Sequence, residues 1–183
     1  MAIETSIENL TALQLMDLQP DDKVLEIGCG HGRTIAQAAA KIPQGFAAGL
    51  DASKTMLQMA TRHNRRWIAE GRVEVKRGNS SSIPYPDYCF DKVFSVHTIY
   101  FWQNPLDDLR EIRRVMKKGA SFVLGFRPRE KKVLADFPLT VYNFYSPDEV
   151  VMLMEKAGYE HVRLIESSAA SRNVAFAIAH RDT

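Results

Sequence analysis

The stretch that decides the fold runs from residue 24 to residue 34 and reads Val24-Leu25-Glu26-Ile27-Gly28-Cys29-Gly30-His31-Gly32-Arg33-Thr34. An apolar run ends in an acid, and three closely spaced glycines follow, with helix-permissive sequence behind them. Closely spaced glycines let the backbone turn tightly and approach a ligand without clashes from Cβ atoms. A helix behind the turn points its free N–H groups and positive dipole end into the same space. The stretch predicts a nucleotide-like cofactor at the carboxyl edge of a parallel sheet.

The glycine spacing and the acid distinguish between two kinds of cofactor. A dinucleotide fold has the spacing Gly-x-Gly-x-x-Gly, with a pyrophosphate on the helix dipole. Here the third glycine, Gly32, comes one residue early, and Glu26 stands two residues before Gly28. A carboxylate there would repel a pyrophosphate but suits the α-ammonium group of an amino acid. The alternative is an ordinary glycine-rich turn between a strand and a helix.

This acid–x–Gly–x–Gly–x–Gly turn resembles the first motif of the class I S-adenosylmethionine-dependent methyltransferases, in their small-molecule, type 11-like branch. The resemblance implies that the turn holds the methionine part of S-adenosylmethionine. Asp51 ends a second apolar run roughly 20 residues later, where a ribose-binding carboxylate is expected. Asp51 could instead cap the following helix, although Ser53 could do so equally well. Residues 51–57 match the family's acid–x–Ser–x–x–Met–Leu pattern.

Two later segments extend the resemblance over almost the whole chain. Phe90–Val96 resembles the family's fourth strand, and Arg110–Ala120 resembles its turn into strand five. Lys118 and Ala120 replace the proline and the second glycine that are usual in that turn.

Apolar patterning predicts strands and helices in alternation. The strands are predicted at Lys23–Ile27, Phe46–Leu50, Val73–Arg77, Asp91–Val96, Ser121–Phe126, Val162–Glu166 and Val174–His180. The helices are predicted at Ser6–Asp17, Gly32–Lys41, Ser53–Glu70, Pro105–Met116 and Ser146–Ala157. Such alternation implies an α/β, doubly wound, mostly parallel seven-stranded sheet. The short connection Ser167–Asn173 implies one antiparallel strand. This is the Rossmann-like methyltransferase fold that the resemblance also implies, in a single domain over residues 1–183.

Size and composition agree with one globular enzyme domain. Apolar residues make up 45% and charged residues 25% of the 183 residues, and the net charge is +2. This charge does not argue for nucleic acid. No run is long enough to span a bilayer, and the first residues lack the pattern of a signal peptide. Cys29 and Cys89 are too few for a disulfide framework or a zinc site. We therefore expect a cytoplasmic protein without a bound metal.

The predicted cofactor-binding residues come from four segments, each at the end of a strand. They are Glu26, Gly28, Cys29, Gly30, Gly32, Asp51, Ala52, Asn79, Ser80 and His97. Many family members carry an acid after strand three that accepts from the adenine amino group. Here Asn79 stands in its place; it can still accept through its amide oxygen, and it can also donate to a ring nitrogen. The alternative for this Asn-Ser-Ser-Ser run is a polar loop without a ligand.

The methyl acceptor is expected beyond strand four. His97 is a candidate general base because its ordinary pKa suits proton transfer near neutrality. Tyr100, Phe101 and Trp102 could form an apolar wall, with Tyr100 as a second candidate catalytic group. The alternatives are that His97 only lines the pocket and that the three aromatic residues belong to the core. The long connection 126–145 is the candidate lid, or else a surface loop.

We expect methyl transfer from S-adenosylmethionine to a small-molecule or lipid-like acceptor. The sequence has no Asn-Pro-Pro-Tyr-type motif, no Pro-Cys nucleophile and no target-recognition domain, so we expect no nucleic acid partner. Two alternatives stay open. One is a non-catalytic fold relative that binds S-adenosylmethionine as a partner subunit, and the other is an NAD-dependent oxidoreductase. The identity of the acceptor and the oligomeric state are not predicted.

Overall fold

The computed structural model describes residues 4–129, 142–167 and 173–182. The seven strands are β1 (Lys23–Ile27), β2 (Phe46–Asp51), β3 (Val73–Arg77), β4 (Phe90–Val96), β5 (Met116–Phe126), β6 (Tyr159–Ser167) and β7 (Val174–Arg181). The helices are α1 (Glu4–Leu15), α2 (Arg33–Lys41), α3 (Lys54–His63), α4 (Arg65–Ala69), α5 (Pro105–Val115) and α6 (Pro147–Lys156), with a 3₁₀ turn at Ile99–Phe101. Among these helices, none combines the length and apolar character that crossing a membrane requires.

The strands form one sheet in the order β3-β2-β1-β4-β5-β7-β6. The first five pair in parallel, whereas β7 pairs antiparallel with β5 on one side and with β6 on the other. This confirms the predicted mostly parallel seven-stranded sheet with one antiparallel strand. The strand order reverses between β1 and β4, and ligands of open α/β sheets bind at such a switch point, off the carboxyl ends of the strands.

Helices cover both faces of the sheet, so its central strands are buried on both sides. In β4, the neighbours Val93 and Phe94 are both fully buried but belong to opposite faces, as strand geometry requires. α1, α2 and α3 pack on the face of Phe94, and α5 and α6 pack on the face of Val93. Each fully buried side chain of this size contributes about 1.5–3 kcal/mol to folding. The two cores hold the strand ends rigidly in place.

One helix prediction was wrong in a way that matters for the site. The predicted helix Ser53–Glu70 is divided at Asn64 into α3 and α4. Asn64 is fully buried, and its Nδ2 donates to the carbonyl oxygens of Gly32 (2.8 Å) and Ala60 (2.9 Å). Asparagine side chains compete with the helix for backbone partners. The break therefore ties the end of α3 to the glycine turn.

The other differences are confined to element ends. The first helix begins earlier than predicted and ends at Leu15, before Asp17, whose φ is +47°. β5 begins at Met116 rather than Ser121, because Phe90 pairs with Met116 ahead of a bulge. Ser146 caps α6 and forms a capping box with Glu149.

Candidate functional site

A cleft of about 740 Å³ lies at the carboxyl ends of β1 to β4. Six of the predicted cofactor-binding residues line it, namely Gly28, Asp51, Ala52, Asn79, Ser80 and His97. The other four, Glu26, Cys29, Gly30 and Gly32, are not among its lining residues but belong to β1 and the adjoining turn. The sheet thus brings together segments that lie far apart in the sequence.

The glycine turn is held by its own strands. The N–H groups of Gly28 and Cys29 donate to the carbonyl oxygen of Leu50 on β2, and Gly32 N–H donates to Cys29 O. Gly28, Gly30 and Gly32 all have positive φ angles, which glycine adopts without a Cβ penalty. A Cβ at Gly28 would lie 2.3 Å from Thr98 Cγ2, whereas a Cβ at Gly30 would meet nothing within 4 Å. The turn is packed at its start and open at Gly30.

Glu26 carries a buried carboxyl group that lacks a full set of partners. Glu26 is only 4% exposed, and its Oε2 atom has no hydrogen-bond partner in the described part of the chain. Desolvation by burial raises the pKa of this carboxyl well above its usual range, the Thr34 hydroxyl bond lowers it, and the nearby Asp51 charge raises it. An uncompensated buried carboxylate is costly, so a cation placed against Oε2 would be strongly favoured.

Asp51 closes the turn from β2. Its Oδ2 accepts from Gly30 N–H at 2.8 Å and its Oδ1 from Ser53 N–H at 2.8 Å. The helix cap is made by Ser53, whose hydroxyl accepts from Met56 N–H at 3.3 Å, so Asp51 is not the cap. Each carboxylate oxygen has further acceptor capacity, and Asp51 lines the cleft. The carboxylate is therefore fixed with lone pairs to spare.

The loop after β3 also lines the cleft, through residues that include Asn79 and Ser80. Asn79 Oδ1 accepts from Ser81 Oγ (3.0 Å) and from Ser82 N–H (3.1 Å), so this amide oxygen holds its own loop. Ser80 is buried and hydrogen-bonds the carboxyl group of Asp108, which lies in the first turn of α5 and also lines the cleft. Burial raises the pKa of Asp108, and the Ser80 bond lowers it. Sequence reasoning missed Asp108, because acidic residues are common in the first turn of helices and one there does not by itself indicate a site.

His97 leaves β4 with a positive φ of +59°, and its backbone N–H donates to Gly125 O. Both ring nitrogens have protein partners. Nδ1 is 3.0 Å from the Tyr100 hydroxyl, and Nε2 contacts the Glu8 carboxylate of α1. Sequence reasoning found His97 and Tyr100 but missed Glu8, which lies 89 residues away and carries no local motif.

The aromatic residues after β4 divide between the two roles that were left open. Tyr100 is 5% exposed and belongs to the core, and burial raises its pKa. Phe101 is 54% exposed and lines the cleft, and buried Trp102 also lines it. Tyr142, which precedes α6, has its ring 5.1 Å from that of Phe101. The intervening residues 130–141 of the candidate lid lie outside the described residues.

Cys29 serves the packing of the turn. Its side chain is buried, and a Cβ at Gly49 of β2 would lie 3.0 Å from the Cys29 sulfur. Burial is the largest of the causes that raise the pKa of its thiol, followed by the charges of Glu26 and Asp51. A thiol held protonated is a poor nucleophile.

Comparisons with known proteins agree with this geometry. Residues 25–124, more than half of the chain, match a family model described as "Methyltransferase domain". YrhH of Bacillus subtilis (strain 168), which is named as a methyltransferase, is 35% identical over 60% of this chain and 60% of its own length. A demethylmenaquinone methyltransferase of Bacillus cytotoxicus is 34% identical over 61% of this chain and 47% of its own. The match therefore spans less than two thirds of either relative.

A solved structure described as a SAM dependent methyltransferase from Aquifex aeolicus has the same fold. It superposes with a TM-score of 0.78 at 24% identity, over 93% of this chain and 88% of that one. The family match runs from within β1 to within β5 and includes the whole glycine turn. The chain therefore belongs to the class I S-adenosylmethionine-dependent methyltransferases, a family whose cofactor is S-adenosylmethionine.

Proposed function

We propose that this chain transfers a methyl group from S-adenosylmethionine to a small-molecule or lipid-like acceptor. The observation that carries the proposal is the buried carboxyl group of Glu26, whose Oε2 lacks a partner among the described residues at the start of the glycine turn. The α-ammonium group of a methionine moiety supplies the missing cation. A pyrophosphate, by contrast, would meet a carboxylate and N–H groups that already donate within the turn.

The residues around the turn fit the cofactor in three further respects. The space beside Gly30 is open, so the cofactor can lie close to the backbone there. Asp51 offers lone pairs to the two ribose hydroxyl groups while the backbone holds it still. Asn79 and Ser80 line the same cleft and are proposed at the adenine. Because Asn79 Oδ1 already accepts two bonds, its free amide hydrogens are its better means of contact.

When bound, S-adenosylmethionine supplies an electrophilic methyl group on a sulfonium. The chain's own task is then to exclude water, orient the acceptor and accept its proton. Phe101 and Trp102 line the cleft and provide an apolar wall for the acceptor. His97 lines it too and is the proposed proton acceptor, with Tyr100 hydrogen-bonded to its ring.

An acceptor with an apolar body is favoured by this wall. The half-exposed Phe101 ring offers apolar contact area next to a polar cleft, an arrangement typical of small-molecule sites. One relative acts, by its name, on demethylmenaquinone. The net charge of +2 gives no support to a nucleic acid partner. The cytoplasm is the compartment that we propose, since Cys29 and Cys89 are both free thiols.

Two measurements test the proposal. Calorimetric titrations should detect S-adenosylmethionine and S-adenosylhomocysteine but not NAD, because of Glu26 and the glycine spacing. NAD binding with no S-adenosylhomocysteine binding would make the chain an oxidoreductase candidate instead.

Incubation of the protein with methyl-labelled S-adenosylmethionine and a metabolite extract should label a small organic product. Cofactor binding without any labelled product, in extracts that feed other methyltransferases, would favour a non-catalytic partner subunit. An extract separated into polar and lipid fractions identifies the class of acceptor.

A further inference from the structure

Glu8 occupies an unusual place for a carboxylate. It lies in the second turn of α1, is 9% exposed, and contacts the Nε2 atom of His97 at the cleft. Ala12 follows four residues later on the same stripe of α1, and Met16 comes directly after the helix; both are buried against the sheet. The apolar stripe thus fixes the register of α1, and that register directs Glu8 to His97.

The contact between Nδ1 of His97 and the Tyr100 hydroxyl shows which ring nitrogen of His97 carries the hydrogen. The Tyr100 hydroxyl accepts a hydrogen bond from the backbone N–H of Arg127 and lies 3.0 Å from Nδ1 of His97. Burial raises the pKa of Tyr100, so the hydroxyl keeps its proton. That proton has Nδ1 as its partner, which makes Nδ1 the acceptor and leaves the ring hydrogen on Nε2.

The four groups therefore form one directed chain of hydrogen bonds. Arg127 N–H donates to Tyr100, Tyr100 donates to Nδ1 of His97, and Nε2–H of His97 donates to Glu8. The side chains of His97 and Glu8 are only 14% and 11% exposed. Because these side chains are largely shielded from water, a hydrogen bond to the charged carboxylate of Glu8 is stronger here than it would be in solvent.

We propose that Glu8 is a positioning residue for methyl transfer, which holds His97 as the Nε2–H tautomer and orients its ring at the cleft. The proposal rests on the proposed function, in which His97 accepts the acceptor's proton. In that step the acceptor's lone pair bonds the methyl carbon, and the carbon–sulfur pair stays on sulfur. The Tyr100 O–H first rotates away from Nδ1 and frees the single lone pair of that nitrogen. The proton lost by the acceptor then goes to Nδ1, and the new Nδ1–H donates to the Tyr100 oxygen. The resulting imidazolium faces the Glu8 carboxylate.

Nitrogen-15 spectra of histidine-labelled protein test the tautomer without any acceptor. The His97 signals are assigned by their loss in His97→Gln. We expect the Nε2–H pattern in the wild type and a mixture of tautomers in Glu8→Ala. Gln14→Ala, at an exposed position on the same helix, controls for α1 and should keep the wild-type pattern. A wild-type His97 pattern in Glu8→Ala overturns the proposal.

Turnover with the acceptor found by the labelling experiment provides the second test. Glu8→Gln keeps the volume and helix packing of Glu8 but removes its charge. We expect kcat to fall roughly tenfold to a hundredfold, the scale of a mispositioned catalytic group, with both KM values within about twofold of wild type. A kcat for Glu8→Gln within twofold of wild type overturns the proposal. Wild-type protein that binds no S-adenosylhomocysteine would instead contradict the proposed function itself.

Discussion

The two halves of the cleft are built in different ways. Most of the cofactor half is contiguous in sequence, because β1, the glycine turn and the end of β2 fall within residues 23–53, while the proposed adenine contacts Asn79 and Ser80 follow β3. Its donors and acceptors are mostly backbone groups and the two acids Glu26 and Asp51. The acceptor half joins Glu8, His97 and Tyr100 from separate elements through side-chain contacts.

The halves meet at a small polar joint between β1 and β4. Ser95 Oγ donates to Ile27 O at 2.8 Å and contacts the Thr98 hydroxyl. The methyl group of Thr98 fills the space where Gly28 lacks a Cβ. Each of the following predictions affects one half or the joint. Together they test whether a change in one half leaves the function of the other half intact.

The largest effect is expected in the acceptor half. His97→Ala should lower turnover about 10²–10⁴-fold, the usual contribution of a general base, and leave S-adenosylhomocysteine affinity nearly unchanged. Steady-state kinetics and calorimetry measure the two quantities, with His161→Ala, exposed on β6, as the control. A modest, parallel fall in rate and affinity would mean that His97 only lines the pocket, and full activity would remove it from the mechanism.

In the cofactor half, Asp51→Ala should weaken S-adenosylhomocysteine binding at least tenfold. Two ribose hydrogen bonds to a charged acceptor are lost, each worth about 1.5–3 kcal/mol. Calorimetry gives the dissociation constant, and circular dichroism checks that the variant is folded. The matched control is Asp21→Ala, at an exposed position before β1. Unchanged affinity in folded Asp51→Ala protein would contradict the ribose assignment.

At the joint, Gly28→Ala should lower the free energy of unfolding more than Gly71→Ala does. Both glycines have positive φ, near +77° and +70°, but a Cβ at Gly71 would meet nothing within 4 Å. Gly71→Ala therefore carries the backbone cost alone, about 1–2 kcal/mol. Gly28→Ala adds an overpacking cost of about 1–3 kcal/mol against Thr98.

Urea unfolding of both glycine variants measures this difference. Thr98→Ser in the Gly28→Ala background removes the clashing methyl group and should restore part of the loss. Equal destabilisation by the two glycine substitutions would show that the joint is not tightly packed.

The smallest effect concerns the pH dependence of cofactor binding. Burial raises the pKa of Glu26 in the free protein, and an ammonium partner favours the ionised carboxylate. Binding should therefore release protons, and affinity should fall as the pH falls, by at most about tenfold per pH unit for one proton. Titrations in two buffers of different ionisation enthalpy measure the release. Glu26→Gln should abolish it, and identical heats in both buffers with wild-type protein would contradict the assignment.

The raised pKa of Glu26 also predicts how the stability of the cofactor-free protein depends on pH, and here lower pH is favourable. A carboxyl whose folded-state pKa is raised favours the folded state at low pH, and this contribution is lost as the pH rises above the unfolded value. Glu26→Gln should therefore stabilise the cofactor-free protein at pH 7 and change little near pH 4. Thermal unfolding at the two pH values measures this, and equal shifts at both would argue against a burial effect on Glu26.

The strands that lead into the cofactor half were well predicted from the sequence, because the apolar pattern of each strand lies within a few neighbouring residues. The strand bounds Lys23–Ile27 and Val73–Arg77 were predicted to the residue. The prediction that the helix after Asp51 runs on to Glu70 was wrong at Asn64. Local helix propensity did not indicate a break there, because the hydrogen bond that stabilises it joins the Asn64 side chain to the carbonyl oxygen of Gly32, 32 residues away.

The sequence by itself determined the α/β class, the seven strands, the antiparallel β7 and the residues of the glycine turn. Periodicity and short motifs act over a few residues, so one chain segment contains the whole signal. Only the tertiary structure decided that Glu8 contacts His97, that Phe101 lines the cleft while Tyr100 is buried, and that Asp108 holds Ser80. These contacts depend on how α1, β4 and α5 pack against one sheet, and packing distances between remote segments leave no local trace in the sequence.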